Sequence, residues 1–132
     1  MSVDSARERL DEFDRAIARL AEALTVPRTE VLALDGTIRR FAFVFELAWK
    51  AIKGLLTLLD PGAAGQPPLG LLKEAFSYGW IDDEQAWRGL LIARNETSHT
   101  YKEKKAGEVY DLILRDFALF PALAAKLRST LP

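Results

Sequence analysis

The amino-acid sequence predicts an all-α protein, built as an antiparallel four-helix bundle with one or two extra short helices. Apolar residues recur at spacings of three and four along several segments, which is the period of a helix buried on one face. No segment shows the strict alternation of a half-buried strand, and no repeat of solenoid length is present. The chain has 132 residues, of which 49% are apolar. This length and composition predict a single domain over residues 1–132.

The first predicted helix lies before Pro27, which ends it. Its apolar seam has spacings of 3, 4, 3 and 4 and consists of Leu10, Phe13, Ile17, Leu20 and Leu24. A strand in this segment would bury charged residues together with these side chains, so the spacing predicts a helix.

The second predicted helix runs from about Asp35, its predicted N-cap, to Leu59, where Asp60-Pro61-Gly62 stops it. Nine apolar residues fall in one arc of about 120° on the helical projection. They are Ile38, Phe41, Phe45, Ala48, Trp49, Ile52, Leu55, Leu56 and Leu59.

The opposite side of this helix carries charged residues, and Phe43 lies beside them. We predict that this face binds a second copy of the chain or a partner protein, because apolar area mixed with Arg and Lys is typical of an interface. The alternative is an ordinary solvated helix face. The residues of the predicted face are Arg39, Phe43, Glu46, Lys50 and Lys53.

Three shorter helical segments are predicted in the second half of the chain. The third helix follows a Pro/Gly-rich loop and ends at Gly79 as a C′ residue. The fourth begins at Asp82, which with Gln85 resembles a capping box. The last begins near Ala106, and Pro121 either kinks it or starts a final helix. The apolar residues of the three are, in order, Leu69, Leu72, Phe76; Trp87, Leu90, Leu91; Val109, Ile113, Leu114 and Phe117.

The composition excludes several classes of function. With 0 Cys and 1 His, the chain has no disulfide, no catalytic thiolate, no zinc finger and no multi-histidine metal site. We therefore predict no metal site and no cofactor. The 18 basic and 19 acidic residues also exclude the strongly basic surface of a general nucleic-acid coating protein.

Neither the N-terminus nor any internal segment predicts an association with membranes. The first residues lack the apolar core of a signal peptide, and no stretch approaches the ~20 apolar residues that span a bilayer. We expect a cytoplasmic protein.

One polar segment, residues 94–105, lacks the helical apolar period and holds the only His of the chain. Its pattern Arg94-x4-His99-x-Tyr101 resembles the signature of HEPN-domain proteins. The resemblance extends to the bacterial subunits known as nucleotidyltransferase substrate-binding proteins, which are related to the HepT toxins. Further stretches that resemble this branch lie in order at 35–41, 45–53 and 75–87.

This resemblance implies an antiparallel helical bundle that forms a homodimer, with the Arg/His motifs of two protomers facing one cleft. It also implies a separate partner chain, a minimal nucleotidyltransferase protein that performs the nucleotidyl transfer. In active members of the family, the Arg and His support metal-independent RNA cleavage. In some pairs the nucleotidyltransferase attaches AMP to the motif tyrosine, which corresponds to Tyr101.

The residue types of the motif suit this chemistry. An imidazole with a pKa near ~6.5 can transfer the ribose or leaving-group proton, and a guanidinium can stabilise charge on the scissile phosphate. We therefore predict Arg94 and His99 as catalytic residues, with Asn95 and Lys102 supporting phosphate binding. Purely structural alternatives stay open for each residue. His99 could complement the dipole at a helix end, Asn95 could cap the helix, Tyr101 could be a packed phenol, and Lys102 could be a solvated loop residue.

The functional prediction is an accessory, substrate-binding subunit of a two-component nucleotidyltransferase system. It would be the toxin half of a toxin–antitoxin pair, with RNA or a nucleotide as its ligand. Whether the chain is itself an enzyme stays open; if active, it is a metal-independent endoribonuclease. The alternative is a catalytically inert helical scaffold or dimeric interaction module.

Overall fold

The computed structural model describes residues 1–99 and 103–132. Within these ranges it contains six α-helices, one 3-10 helix and no strand. The helices are α1 (Val3–Ala23), α2 (Val31–Leu59), α3 (Pro68–Ser77), α4 (Glu84–Glu96), the 3-10 helix (Thr97–His99), α5 (Glu103–Asp116) and α6 (Leu119–Thr130). The prediction of an all-α bundle is confirmed. None of the described helices is both long and apolar enough to cross a membrane.

Helices α1 and α2 form an antiparallel hairpin. Near the start of α1, the Nη1 of Arg9 donates a hydrogen bond to the carbonyl oxygen of Lys50 at 3.0 Å. Near the end of α1, the carbonyl oxygen of Arg19 accepts a bond from Nη1 of Arg40 at 2.7 Å. The early part of α1 therefore lies beside the later part of α2, and the apolar seams of the two helices face each other.

Four helices meet at the ring of Phe120, which is fully buried in α6. The ring packs edge-on against Trp87 of α4 at 5.4 Å and against Phe13 of α1 at 6.4 Å between centroids. Phe41 of α2 lies 6.3 Å from it in a tilted orientation. Such edge-to-face and tilted geometries are the favourable ones for aromatic rings, so this cluster ties α6 to the rest of the bundle.

The predicted N-caps of α2 and α4 were wrong. Helix α2 begins at Val31, one turn before Asp35, because Leu34 is partly buried against the core and extends the helix backwards. Helix α4 is capped by Asp83, whose side chain accepts a hydrogen bond from the backbone N–H of Ala86 at 2.9 Å. Asp82 lies outside this cap.

The prediction for Gly79 is confirmed. Its φ of 77° lies in the left-handed region, where glycine carries no Cβ penalty. The N–H of Trp80 bonds to the carbonyl of Ala75 at 2.9 Å, and the N–H of Gly79 bonds to that of Phe76 at 3.0 Å. These bonds close the C-terminus of α3 and turn the chain toward α4.

The last predicted segment is two helices. Helix α5 begins at Glu103, before the predicted Ala106, and α6 begins two residues before Pro121. Pro121 therefore does not kink a helix. It lies in the first turn of α6, where its missing N–H removes no intrahelical bond.

Three residues assigned to buried faces are exposed. Leu59, the last residue of α2, is 47% exposed. Leu114 is 56% exposed because the apolar face of α5 is rotated toward Val109 and Tyr110. Phe76 is 46% exposed, and α3 buries Leu71 in its place.

Candidate functional site

The candidate site lies where the C-terminal turn of α4 meets the middle of α2. The Nη2 of Arg94 lies 3.2 Å from Oε2 of Glu46. The same oxygen accepts a hydrogen bond from the indole Nε1 of Trp49 at 3.0 Å, and Nζ of Lys50 lies 3.6 Å from Oε1. We call Glu46, Trp49, Lys50 and Arg94 the Glu46 cluster.

The guanidinium of Arg94 is held on one side and lacks a partner on the other. Glu46 binds its Nη2, whereas its Nε is buried and has no hydrogen-bond acceptor in the described part of the chain. A buried donor without an acceptor costs about 1–3 kcal/mol. The side chain is 38% exposed, so the guanidinium as a whole stays within reach of a ligand.

The backbone after Arg94 turns tightly at this point. The hydroxyl of Thr97 donates to the carbonyl oxygen of Arg94 at 2.7 Å, and the backbone N–H of Thr97 bonds to the same oxygen. The chain continues into the 3-10 helix, of which His99 is the last residue. The main chain of His99 therefore follows Arg94 closely, across one turn.

Three predicted site residues have limited or no structural description. Tyr101 and Lys102 lie outside the described residues, and so does the side chain of His99. Asn95 is described and is exposed on α4.

An ion pair joins the two ends of this segment. The Nζ of Lys105, in the first turn of α5, lies 2.6 Å from Oε2 of Glu96 at the end of α4. The hydrogen bond that the Lys105 ammonium donates to Glu96 raises the pKa of this ammonium, and the charges of Glu96 and Glu108 add to this effect. Arg94 and Lys105, two basic residues of segment 94–105, are thus paired with carboxylates.

Comparison with known proteins decides the family. The family model described as "Nucleotidyltransferase substrate binding protein like" matches residues 8–129. The chain belongs to this family.

Individual relatives agree with this assignment. A Haemophilus influenzae protein named "Probable ribonuclease HepT" is 40% identical over 82 residues, which are 58% of this chain and 55% of that protein. The chain thus spans about half the length of this curated relative.

Two solved structures share the fold. A crystal structure of a Thermus thermophilus protein has a TM-score of 0.79 and 29% identity, covering 88% of this chain and 98% of that one. A second, from Haemophilus influenzae, is described as revealing the fold of a substrate binding domain of a nucleotidyltransferase. It has a TM-score of 0.68 and 26% identity, covering 96% and 99% of the two chains.

In this member of the substrate-binding family, the predicted dimer or partner face divides into two parts. Glu46 and Lys50 belong to the cluster around Arg94. Arg39 and Phe43 lie nearer the start of α2, where the Arg39 guanidinium stands 5.9 Å from the centre of the Phe43 ring. Lys53 is half-buried and lines an open cavity next to Lys50.

Sequence reasoning missed the contact of Glu46 with Arg94. The two residues are 48 positions apart, and only the packing of α4 on α2 brings them together. The assignment of Trp49 to the core was also incomplete, because its ring is half-buried and its N–H binds Glu46. Among the residues that the structure describes, no group of three or more His, Asp or Glu is placed to hold a metal ion.

Proposed function

We propose that this protein is the accessory, substrate-binding subunit of a two-component nucleotidyltransferase system. The partner would be a minimal nucleotidyltransferase protein, and the chain would act as the toxin half of the pair, as a homodimer in the cytoplasm. The observation that carries the proposal is the family match over residues 8–129, which includes every helix that builds the Glu46 cluster.

The test is reconstitution with a minimal nucleotidyltransferase protein from the same organism. Purified together, the two chains should elute as one complex and bind with a Kd in the micromolar range or below, as measured by calorimetry. No complex at micromolar concentration would contradict the proposal.

A specific observation supports ribonuclease activity as a second function of the same protein. Arg94 is anchored by Glu46 and precedes His99 by five residues, and one of its donors has no acceptor in the part of the chain that the structure describes. In the proposed reaction, the ribose 2′-oxygen attacks the phosphorus and the 5′-oxygen leaves, which gives a 2′,3′-cyclic phosphate and a 5′-hydroxyl. No metal is required, because Arg94 stabilises the charge on the phosphate and His99 transfers the proton.

One imidazole cannot be acid and base in the same turnover, so a second copy of the chain would supply the other His99. Asn95 and Lys102 would support the phosphate, and Tyr101 would be the acceptor if the partner attaches AMP. The name of the Haemophilus influenzae relative, "Probable ribonuclease HepT", supports this proposal.

The experiment is an RNA cleavage assay in EDTA. We expect Arg94→Ala to reduce the rate by about 10²–10³ and His99→Ala by about 10²–10⁴. Arg88→Ala, an exposed arginine on the same helix, is the matched control and should cleave like the wild type. Equal rates in all four proteins would identify a contaminating nuclease or another site. A lower melting temperature of His99→Ala without any effect on RNA or partner binding would favour the inert scaffold.

A further inference from the structure

A groove runs between α1 and α2 on the side away from the core. Two adjoining cavities of about 380 and 160 Å³ form it, and they share Gly36 and Arg40. We call it the α1/α2 groove; the residues that matter in it are Arg19, Leu32, Gly36, Arg39, Arg40 and Phe43.

The groove carries positive charge that no carboxylate among the described residues pairs. Arg40 is engaged, since its Nη1 binds the carbonyl oxygen of Arg19 and lies 3.6 Å from Glu22. The guanidinium groups of Arg19 and Arg39, in contrast, have no carboxylate within 4 Å in the described ranges 1–99 and 103–132. With Glu22 offsetting Arg40, two positive charges remain for an outside partner.

The shape of the groove fits a helix. Positions 32, 36, 39 and 43 recur at spacings of 4, 3 and 4, so their side chains follow one face of α2. A Cβ placed on Gly36 would meet no atom within 4 Å, which leaves the floor open. Large apolar side chains stand at both ends: Leu32 is 84% exposed and Phe43 is 57% exposed.

We propose that the α1/α2 groove binds an amphipathic helix of a separate protein, with apolar side chains facing Gly36 and carboxylates flanking them to pair with Arg19 and Arg39. Helix-in-groove recognition of this kind uses anchors that repeat at whole helical turns. Leu32 and Gly36 lie one turn apart on α2, and Phe43 lies two turns beyond Gly36. The inference rests on the proposed function only in identifying that protein with the nucleotidyltransferase partner.

The charges and the exposed apolar side chains favour this occupant over two others. A two-fold contact between copies of this chain through the groove would bring Arg19 and Arg39 of both copies to one interface, where like charges repel. A nucleic acid would pair with the arginines, but its phosphates would leave Leu32 uncovered.

The binding test uses two synthetic helical peptides and does not depend on the nucleotidyltransferase. Both peptides carry Leu at positions i, i+4, i+7 and i+11 and a lactam bridge; one has flanking Glu and the other flanking Lys. By fluorescence anisotropy at low salt, the Glu peptide should bind the wild type at least about tenfold tighter than the Lys peptide. The double variant R19E/R39E should reverse this preference. Absent binding of the Glu peptide, or equal affinity for both peptides, would overturn the proposal.

A steric variant tests the groove without changing its charge. Gly36→Leu places a side chain into the open floor and should weaken the Glu peptide at least about tenfold. Gly89→Leu is its matched control, because Gly89 also lies in a helix and its Cβ would also meet nothing within 4 Å. Arg88→Glu is the control for charge. If the controls weaken binding as much as the groove variants, the groove is not the site.

The binding of the same variants to the nucleotidyltransferase is then measured. The outcomes distinguish failure of the proposed function from failure of the groove as the partner site. No complex with the wild type contradicts the proposed function, and the peptide result stands by itself. A complex that Gly36→Leu and R19E/R39E leave unchanged overturns the groove as the partner site. Conversion of a wild-type dimer to a monomer by Gly36→Leu in sedimentation would assign the groove to a second copy and overturn the proposal as well.

Discussion

The aromatic centre of the bundle, formed by Phe120 and the rings around it, is apolar and buried, whereas the Glu46 cluster is charged and partly exposed. At the centre, Phe120 is surrounded by rings from three other helices and excludes water. In the cluster, the side chains of Arg94 and Glu46 are 38% and 31% exposed, and a buried donor on Arg94 finds no acceptor among the described residues. Apolar burial supplies most of the free energy of folding, whereas a half-exposed ion pair contributes about 0–1 kcal/mol. Stabilisation of the fold therefore explains the cluster poorly, which supports its role as a ligand site under the proposed function.

The largest expected effect is at the centre. Phe120→Ala removes a ring that four helices share, and we expect a loss of about 3–5 kcal/mol in the free energy of unfolding. Urea unfolding followed by circular dichroism measures it. Leu114→Ala is the control, because that side chain is exposed; its change should stay within about 0.5 kcal/mol. Similar losses in the two variants would mean that the core is not where the ring packing places it.

A smaller effect is expected at the start of α4, the helix that carries Arg94. Asp83→Ala removes the side-chain acceptor for the N–H of Ala86 and should destabilise the protein by about 1 kcal/mol. Asp82→Ala leaves the cap intact and should change the unfolding free energy by less than about 0.5 kcal/mol. Thermal and urea unfolding measure both variants. A larger loss of stability in Asp82→Ala than in Asp83→Ala would support the capping box predicted from the sequence.

The Glu46 cluster itself should contribute little to stability. In a double-mutant cycle of Glu46→Gln and Arg94→Gln, we expect a coupling of about 0.2–1 kcal/mol, because water screens a pair that is about one-third exposed. A coupling of about 3 kcal/mol or more would mean that the ion pair stabilises the fold substantially, so the cluster would no longer differ from the aromatic centre in this respect.

The smallest effect concerns the ion pair of Lys105 with Glu96, and it depends on pH. The folded-state pKa of Lys105 is raised above its ordinary value of 10.5, so the stabilisation is fully present below that value. It is lost as the pH rises through the folded pKa. The stability difference between the wild type and Lys105→Met should therefore be constant from neutral pH to about pH 10 and shrink at higher pH. A difference that grows with rising pH would contradict this sign.

Local patterns predicted most of the fold. The seam of α1 and the arc of α2 follow from spacing alone, because a side chain three or four positions away lies on the same face of a helix. Gly79 was identified for a similar reason, since a left-handed residue at a helix end is usually glycine. The errors at Asp35 and Asp82 came from the same kind of local signal, because an acidic residue near a helix start is a candidate cap whether or not the helix begins there. Helix α4 uses Asp83 instead, and the N-cap residue of α2, Glu30, makes no side-chain capping bond.

For the site, the sequence placed Arg94 and His99 in one polar segment, and the family resemblance assigned them a function. The sequence also identified the charged face of α2, but it did not separate Glu46 and Lys50 from Arg39 and Phe43. The grouping of Glu46 with Arg94 depends on how α4 packs against α2, and no local spacing encodes a contact across 48 residues.

The spacing of residues along the sequence predicts most of the helices and most of their buried side chains, and the sequence also carries the family resemblance and the segment with the only His. These properties depend on neighbours in the chain, and the physical cause is the fixed period of the helix. Only the tertiary structure decided which charges meet. It placed Glu46 against Arg94, and among the described residues it gives Arg19 and Arg39, beside an open glycine, no carboxylate partner. Coulomb and hydrogen-bond interactions act over a few ångströms in space, so they are set by helix packing and not by distance along the chain.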